Sequence, residues 1–479
     1  MGDAFQKPEI KAARKRTKER PMIRDYVFDP RYLDLGKGRK YLIQTHGCQA
    51  NEADTEHIEG ILDQAGFIST QVVEEADLIL VNTCAVRENA ENKVFGEIGR
   101  LKQYTYNNPD LIIGICGCMS QEEVVVEKLM RVHPHVKLIL GTHNFDRILD
   151  YIHKIDQSHK RVIEVFSTEG DIIERLPTQR KSHVKAWVNI MYGCDEFCTY
   201  CIVPYTRGKE RSRPFDAIIS EVETLIQMGY QEITLLGQNV NAYGLDLPEK
   251  GISFAFLLET LRQMPIPRIR FTTSHPKDFS REIVQVLGKG GNLMPAIHLP
   301  VQSGSDAILK RMNRKYTKDS YLRLVQDIYA HIPSVSLTTD IIVGFPGETE
   351  ADFSETLDLV RQARFEGAYT FIYSPRSGTP AALFPDDILY EVKKERLYTL
   401  NHLVNEGFLR GNQRFVHHNV DVLVEGRSKS NQDKFTGYTP HNKLVNFASD
   451  QDIIGKIIPV QIIEAKTWSL IGVVDHESN

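Results

Sequence analysis

The sequence predicts a multidomain α/β protein. Its parts are an N-terminal doubly wound parallel α/β domain, a central partial β/α barrel and a small C-terminal antiparallel β-barrel. Three observations predict it. Short apolar runs alternate with helix-spaced stretches over residues 38–150. The same β–α rhythm returns at larger scale over 185–410. From 411 to 477 helical spacing gives way to alternating, β-branched runs with glycines between. A length of 479 residues suits about three domains. With 41% hydrophobic and 25% charged residues, the composition excludes a wholly disordered, collagenous or coiled-coil chain.

Residues 1–37 form a basic extension. Lys7, Lys11, Arg14, Lys15, Arg16, Lys18 and Arg20 stand against Glu9 and Glu19. Such a block is either a solvated tail or an arm for RNA phosphates. It holds no apolar stretch, so no secretory signal is expected. Nor does any apolar run reach the roughly 18 residues that would span a bilayer. A cytoplasmic protein with no membrane partner is expected. The net charge of −5 argues neither for nor against a local basic patch.

Within 38–150, strands are expected at Tyr41–Thr45, Asp77–Asn82, Leu111–Ile115 and Val136–Leu140. Apolar runs this short, separated by helices, read as a buried parallel sheet. Residues 151–184 are polar and irregular and read as a connection. In 185–410 the expected strands are Ala186–Met191, Glu232–Leu236, Arg268–Thr272, Ala296–Leu299, Ser336–Val343 and Ala368–Ile372. About six β–α units fit a full or partial barrel better than an open sheet. The terminal unit offers Val420–Val424, Lys443–Phe447, Ile457–Ile463 and Leu470–Val474.

The chain has seven cysteines, an odd number that makes a disulfide framework a poor reading. Cys194, Cys198 and Cys201 form C-x3-C-x2-C just beyond an expected barrel strand. That end of a β/α barrel carries active sites. Three thiolates on one loop can hold an iron–sulfur cluster and leave one iron open to a substrate. A structural zinc site is normally closed by four ligands.

Cys48, Cys84 and Cys118 each follow the end of a different strand in the N-terminal domain. Loops beyond strand C-termini share one crevice in a doubly wound sheet, so these three are expected to meet and bind metal. Cys116, two residues before Cys118, is assigned to the core, with Gly117 turning the chain between them.

Successive barrel-strand ends carry glycine or polar residues: Gly237, Gln238 and Asn239, then Ser274 and His275, then Gln302 and Ser303, then Gly344 and Gly347, then Arg376. As a set they suit a small-molecule site at the barrel top. After the cysteine loop, TRGKERSRP supplies Arg207, Lys209, Arg211 and Arg213, either a solvated loop or contacts to phosphate.

The motifs THGCQAN, NTCAVR, GCM, YGCDEFCTYCIVPYTRG, LLGQNV, TTSHP, HLPVQSGS and DIIVGFPGET run in this order along nearly the whole chain. In them the sequence resembles the radical S-adenosylmethionine methylthiotransferases, nearest to the tRNA-acting type specific for N6-isopentenyladenosine.

The resemblance implies an auxiliary 4Fe–4S cluster on Cys48, Cys84 and Cys118, with Cys84 and the other ligands acting in catalysis through the clusters they hold. It implies a radical cluster on Cys194, Cys198 and Cys201, with Tyr200 packing on adenine. The barrel becomes a TIM-like radical S-adenosylmethionine barrel whose strand ends bind that cofactor. The C-terminal barrel becomes TRAM-like and RNA-binding, with Lys434, His441 and Lys443 expected exposed on its strands. Where the resemblance leads one to expect a Gly–Arg pair the chain has Gly437 followed by Tyr438, a tyrosine that could stack on a base instead.

The implied reaction inserts a methylthio group at C2 of the adenine beside the anticodon. S-adenosylmethionine acts both as methyl donor and as source of a deoxyadenosyl radical. Implied partners are the tRNA anticodon stem-loop, an external one-electron reductant and a sulfur or iron–sulfur supply protein, with the enzyme a monomer. Rival expectations are the same chemistry on threonylcarbamoyladenosine tRNA or a ribosomal-protein aspartate, and a non-catalytic metal-containing RNA-binding protein.

Overall fold

A computed structural model describes residues 5–15, 21–85, 88–168, 170–429 and 431–474. In the N-terminal region the strands are β1 (Phe5–Gln6), β2 (Ile23–Asp25), β3 (Lys40–His46), β4 (Ile68–Ser69), β5 (Leu78–Thr83), β6 (Ile112–Gly117), β7 (Val136–Leu140), β8 (Val162–Glu164) and β9 (Ile172–Glu174). Among the described residues, seven of them build one parallel sheet in the order β1-β8-β7-β6-β5-β3-β4. β2 and β9 pair separately.

The central strands are apolar on both faces because both are covered. Leu78 and Leu80 join a core with Ile58, Ile61 and Leu62 of the helix Gln49–Gln64 and Ile148 and Ile152 of the helix Ile148–Ser158. Their neighbours Ile79 and Val81 face the other way, onto Ile98 of the helix Glu88–Leu101 and Val125 and Leu129 of the helix Glu123–Val132. Each such aliphatic side chain contributes roughly 1.5–3 kcal/mol by leaving water. Cys116 is buried in the first of these cores, as assigned from its spacing.

Two expectations need correction here. Residues 151–184 are not an irregular connection: β8 extends the sheet and β9 pairs with β2. Three-residue strands are too short to show periodicity, and their partners lie elsewhere in the sequence. The basic extension is not wholly a solvated tail either. β1 adds to the sheet edge beside β8, and Ala13 is buried. Arg16, Lys18, Glu19 and Arg20 lie outside the described residues.

The described chain packs as two compact units. The first gathers 1–181, 191–213 and 374–382; the second gathers 182–190, 214–373 and 383–479. The chain thus contributes β10 (Lys185–Asn189) to the second unit, and β11 (Met191–Tyr192) and β12 (Arg211–Ser212), an antiparallel pair, to the first.

The second unit continues with β13 (Glu232–Leu236), β14 (Arg268–Phe271), β15 (Ala296–His298), β16 (Ser336–Val343) and β17 (Ala368–Ile372). Parallel sheets β10-β13-β14 and β15-β16-β17 are linked by a parallel bridge between Ile269 and Leu293. This is a partial β/α barrel. It is followed by β18 (Asn419–Ser428), β19 (Asn431–Tyr438), β20 (Leu444–Phe447), β21 (Ile457–Ala465) and β22 (Leu470–Val473). They close a small barrel in the order β18-β19-β20-β22-β21 around Val422, Phe435, Phe447 and Val460. Its pairs are antiparallel except for parallel β20 and β22.

The terminal barrel is fastened to the N-terminal ends of the partial-barrel strands. Lys185, opening β10, pairs with Glu425 at 2.8 Å. Arg268, opening β14, donates to the Tyr438 and Asp421 carbonyls at 2.7 and 3.0 Å. Arg270 donates to the Thr439 and Pro440 carbonyls at 2.8 and 3.0 Å and pairs with Glu232, opening β13, at 2.9 Å.

Candidate functional site

In the first unit β3, β5 and β6 each end in a cysteine-bearing turn. Cys48 caps the helix Gln49–Gln64, and the Cys84 amide donates to the His46 carbonyl at 3.0 Å. Gly117 has φ 93°, and a Cβ there would collide with the Asn82 side chain and the Thr83 backbone. Only glycine turns β6 so that Cys118 leaves the strand line while Cys116 stays in the core.

A buried amide pair fixes the turns. Asn51 Nδ2 donates to Asn82 Oδ1 at 3.0 Å, and Asn82 Nδ2 donates to the Asn51 carbonyl at 2.9 Å. Sequence reasoning passed over these two asparagines, although both stand within three residues of a motif cysteine.

The three thiols approach one another. Cys48 and Cys84 are hydrogen-bonded, and this contact lowers the Cys48 pKa, with the Arg207 cation adding to it. Cys118 is buried, and burial raises its thiol pKa against the pull of Arg207. All seven cysteines are free thiols.

The second cysteine set occupies the 191–213 segment of the same unit. Gly193, at φ 76°, turns where a Cβ would strike the Lys209 carbonyl. The Cys194 amide donates to the Gly208 carbonyl at 3.1 Å, and the Cys201 amide to the Cys198 carbonyl at 2.9 Å. The Cys194 pKa is raised well above its usual value, first by burial and further by Cys201 and Cys198 nearby. Tyr200 is half-buried in the same turn. The two sets are neighbours: Cys118, Ala85, Ile202, Tyr205 and Ala13 form one apolar cluster, with Phe197 packed on it.

Both sets fit iron–sulfur clusters. Each brings three sulfurs within electrostatic reach of one another. Among the described residues no three His, Cys, Asp or Glu side chains close around a point as ligands of a single ion would. A cluster asks less, because each thiolate meets a different iron.

Polar residues gather beyond the C-terminal ends of the second unit's strands. Asn239, after β13, donates from Nδ2 to Asp278 at 2.7 Å. The amide of His275, after β14, donates to Asn241 Oδ1 at 2.9 Å. Burial, with Arg314, Lys277 and Lys315 nearby, pushes the His275 pKa down to about 2, so the ring is neutral.

Gln302 has φ 71° and bridges to Ile341 of β16, and Ser303 lies 3.4 Å from the Thr356 hydroxyl. Gly237 is buried and Gln238 half-buried. Ser274 Oγ, Asn241 Nδ2 and the Tyr373 hydroxyl are buried with no hydrogen-bond partner among the described residues, as groups awaiting a polar ligand would be. Asn241 and Tyr373 were not singled out from sequence. Arg376 belongs to the first unit and is buried.

The basic loop departs from a solvated or phosphate-facing reading. Arg207, Arg211 and Arg213 are buried. Arg207 pairs with Asp54 at 2.6 Å and Arg213 with Glu174 at 2.5 Å. Arg211 donates to the carbonyls of Gly170 and Arg207. Lys209 is half-buried.

In the terminal barrel Lys443 is buried against Glu366 at 3.0 Å rather than exposed. His441 and Tyr438 are half-buried, and the Tyr438 carbonyl is held by Arg268. Gly437 pairs with Val424, and a Cβ there would strike the Leu423 carbonyl. Lys434 is half-buried. Trp468, 69% exposed, was overlooked in the sequence.

Comparisons with known proteins divide the chain in the same order. Residues 188–360 match the Radical SAM superfamily, 40–141 an uncharacterized protein family (UPF0004), and 413–474 the TRAM domain. The tRNA-2-methylthio-N(6)-dimethylallyladenosine synthase of Oceanobacillus iheyensis is 56% identical over 470 residues, 98% of this chain and 91% of that protein. Its namesake from Bacillus cytotoxicus is 56% identical over 474 residues, covering 99% and 93%.

Among solved structures, the radical S-adenosylmethionine methyltransferase TsrM from Kitasatospora setae, with cobalamin and a 4Fe–4S cluster bound, aligns with TM-score 0.53. The match covers 72% of this chain and 74% of that one at 13% identity, a likeness of fold. Among the described residues no helix is long and apolar enough to cross a membrane.

Proposed function

This chain belongs to the radical S-adenosylmethionine tRNA methylthiotransferases, and we propose that it converts N6-isopentenyladenosine beside the anticodon to its 2-methylthio form. One observation supports the reading: both cysteine sets belong to one compact unit, where Cys118 of one shares an apolar cluster with Ile202 and Phe197 from the loop of the other. Methylthio insertion needs a sulfur source next to the site where a C–H bond is activated.

The enzyme works with S-adenosylmethionine and 4Fe–4S clusters. We assign Cys194, Cys198 and Cys201 to one cluster and Cys48, Cys84 and Cys118 to the auxiliary one. When bound, these groups supply the electron, the methyl group, the sulfur and the oxidising power to activate an unreactive adenine C2–H bond.

The chain's own residues bind, orient and exclude water. Gly237, Gln238, Asn239, Ser274, His275, Gln302 and Ser303 are assigned to S-adenosylmethionine, with Asn241 and Tyr373 added for their unpartnered polar atoms. Neutral His275 is assigned as a hydrogen-bonding group of that site. Tyr200 is assigned to the adenine and Arg376 to the polar part of the same cofactor. tRNA is the substrate, and the target base leaves its stack to react. Lys209 and Lys434 are assigned to its phosphates. A monomer in the cytoplasm, fed by an external one-electron reductant and a sulfur or iron–sulfur supply protein, completes the reading.

The test is anaerobic incubation of reconstituted enzyme with reductant, S-adenosylmethionine and tRNA carrying isopentenyladenosine, followed by nucleoside mass analysis. Gain of a methylthio group on that nucleoside is expected. Release of deoxyadenosine without that gain would overturn the substrate and point to the threonylcarbamoyl or ribosomal-protein alternatives.

A further inference from the structure

Arg207, in the cysteine-loop segment, hydrogen-bonds a sulfur of the other triad. Its Nε–H donates to Cys118 Sγ at 3.2 Å, and its Nη2 donates to Asp54 Oδ2 at 2.6 Å. Arg207 and Asp54 are both about 5% exposed. Arg207 stands six positions after Cys201, and Asp54 lies on the helix that Cys48 caps. One guanidinium therefore fastens the cysteine-loop segment to Cys118 and to the helix behind Cys48.

Burying a cation is costly unless it is compensated. Asp54 alone could compensate it, but then nothing would aim the remaining donor edge at a sulfur. Three thiolates on a cluster bring buried negative charge that needs a donor, and hydrogen bonds to sulfur are among the terms that set a cluster's potential.

We propose that Arg207 is a positioning residue of the auxiliary cluster. It gives a charge-assisted N–H···S bond to the Cys118 thiolate, with Asp54 locking the guanidinium in place. The inference rests on the assignment of Cys48, Cys84 and Cys118 as cluster ligands. The bond favours the more negative, reduced state, so it raises the cluster's potential. Lysine would supply charge without the rigid fork that meets sulfur and carboxylate together.

The test uses the full chain with Cys194, Cys198 and Cys201 changed to Ala, so that only the auxiliary cluster assembles. Iron and sulfide per chain are measured, and the midpoint potential is read by EPR-monitored redox titration. Absence of iron in this parent would defeat the ligand assignment itself, and with it the inference. With iron present, Arg207→Gln is expected to shift the midpoint to lower potential, and Arg207→Lys to shift it less. Should Arg207→Gln fail to fold or hold iron, Arg207→Lys decides, a lower midpoint than the parent supporting the proposal. An iron-loaded variant titrating at the parental potential would overturn it and leave Arg207 a structural ion-pair partner. Loss of iron from both variants with unchanged circular dichroism would support the positioning role, and loss of the fold in both would overturn it.

Discussion

Changing Arg270 to Met is expected to loosen the joint between the partial barrel and the terminal barrel while leaving both cores intact. The guanidinium makes three bonds: to Glu232 at 2.9 Å, to the Thr439 carbonyl at 2.8 Å and to the Pro440 carbonyl at 3.0 Å. Methionine keeps much of the apolar stem but leaves the buried Glu232 carboxylate without its hydrogen-bonded cation, with only the charge of Arg268 nearby. Removing one member of a buried pair costs about 3–5 kcal/mol. The two carbonyl bonds would each count about 1.5–3 kcal/mol alone. All three come from one group and do not add, so about 3–5 kcal/mol is the working figure.

The assay is hydrogen exchange by mass spectrometry on peptides covering residues 434–447. The Thr439 amide bonds the Lys443 carbonyl and the Asn442 amide bonds the Thr439 carbonyl, both at 3.0 Å, so both report opening of the joint. At about 1.4 kcal/mol per tenfold, exchange there should accelerate roughly 10²- to 10⁴-fold. Pairing Arg270→Met with Glu232→Leu removes the stranded charge and should recover part of the protection. Acceleration below about tenfold in the single variant, or a double variant worse than the single, would refute the reasoning.

Changing Cys194, Cys198 and Cys201 to Ala should abolish deoxyadenosine release yet spare the auxiliary iron; Cys84→Ala should permit S-adenosylmethionine cleavage without methylthio product, as nucleoside mass analysis would show. Gly117→Ala forces a side chain into φ 93° against Asn82 and Thr83 and should cost roughly 1–3 kcal/mol or more, read as loss of auxiliary iron with the other cluster kept. Burial, then Arg414, Lys443 and Arg270, pushes the His441 pKa down to about 4, against roughly 6.5 in an unfolded chain. The folded state binds fewer protons, so the stabilising contribution is complete above pH 6.5 and is lost as pH falls toward about 4; His441→Phe should flatten that dependence in acid unfolding curves. Trp468→Ala should weaken anticodon stem-loop binding by roughly 1–3 kcal/mol in a filter or anisotropy assay, since an exposed indole can stack on a base.

Much of the fold was readable where periodicity and burial coincide. Val136–Leu140, Glu232–Leu236, Ser336–Val343 and Ala368–Ile372 have the bounds their apolar runs suggest. β19 was missed because Asn431–Tyr438 carries polar residues outward and buries little more than Phe435 and Gly437. A barrel strand with one wet face needs a partner's register to be recognised, and that information is not local. β1, β8 and β9 are two or three residues long and exist through pairing with distant segments.

The candidate site divides along the same line. Cysteine spacing and strand ends are local, so both triads could be read from the chain. The fate of a charge is not local. Arg207, Arg211 and Arg213 look like a basic loop until Asp54, Glu174 and the Gly170 carbonyl, 153, 39 and 41 residues away, are brought to them. Lys443 is likewise absorbed by Glu366, 77 residues away.

These buried pairs are weak sources of net stability, because desolvation offsets most of their attraction. Their value is directional: a guanidinium with five fixed donors holds two segments at one distance and angle. Arg207 does this between the cysteine segments, and Arg268 and Arg270 do it between the two barrels of the second unit. These arginines therefore serve as internal fasteners. Contacts to tRNA must come from groups that remain at the surface, which is why exposed Trp468 carries more weight than buried Lys443 as a place to look for RNA.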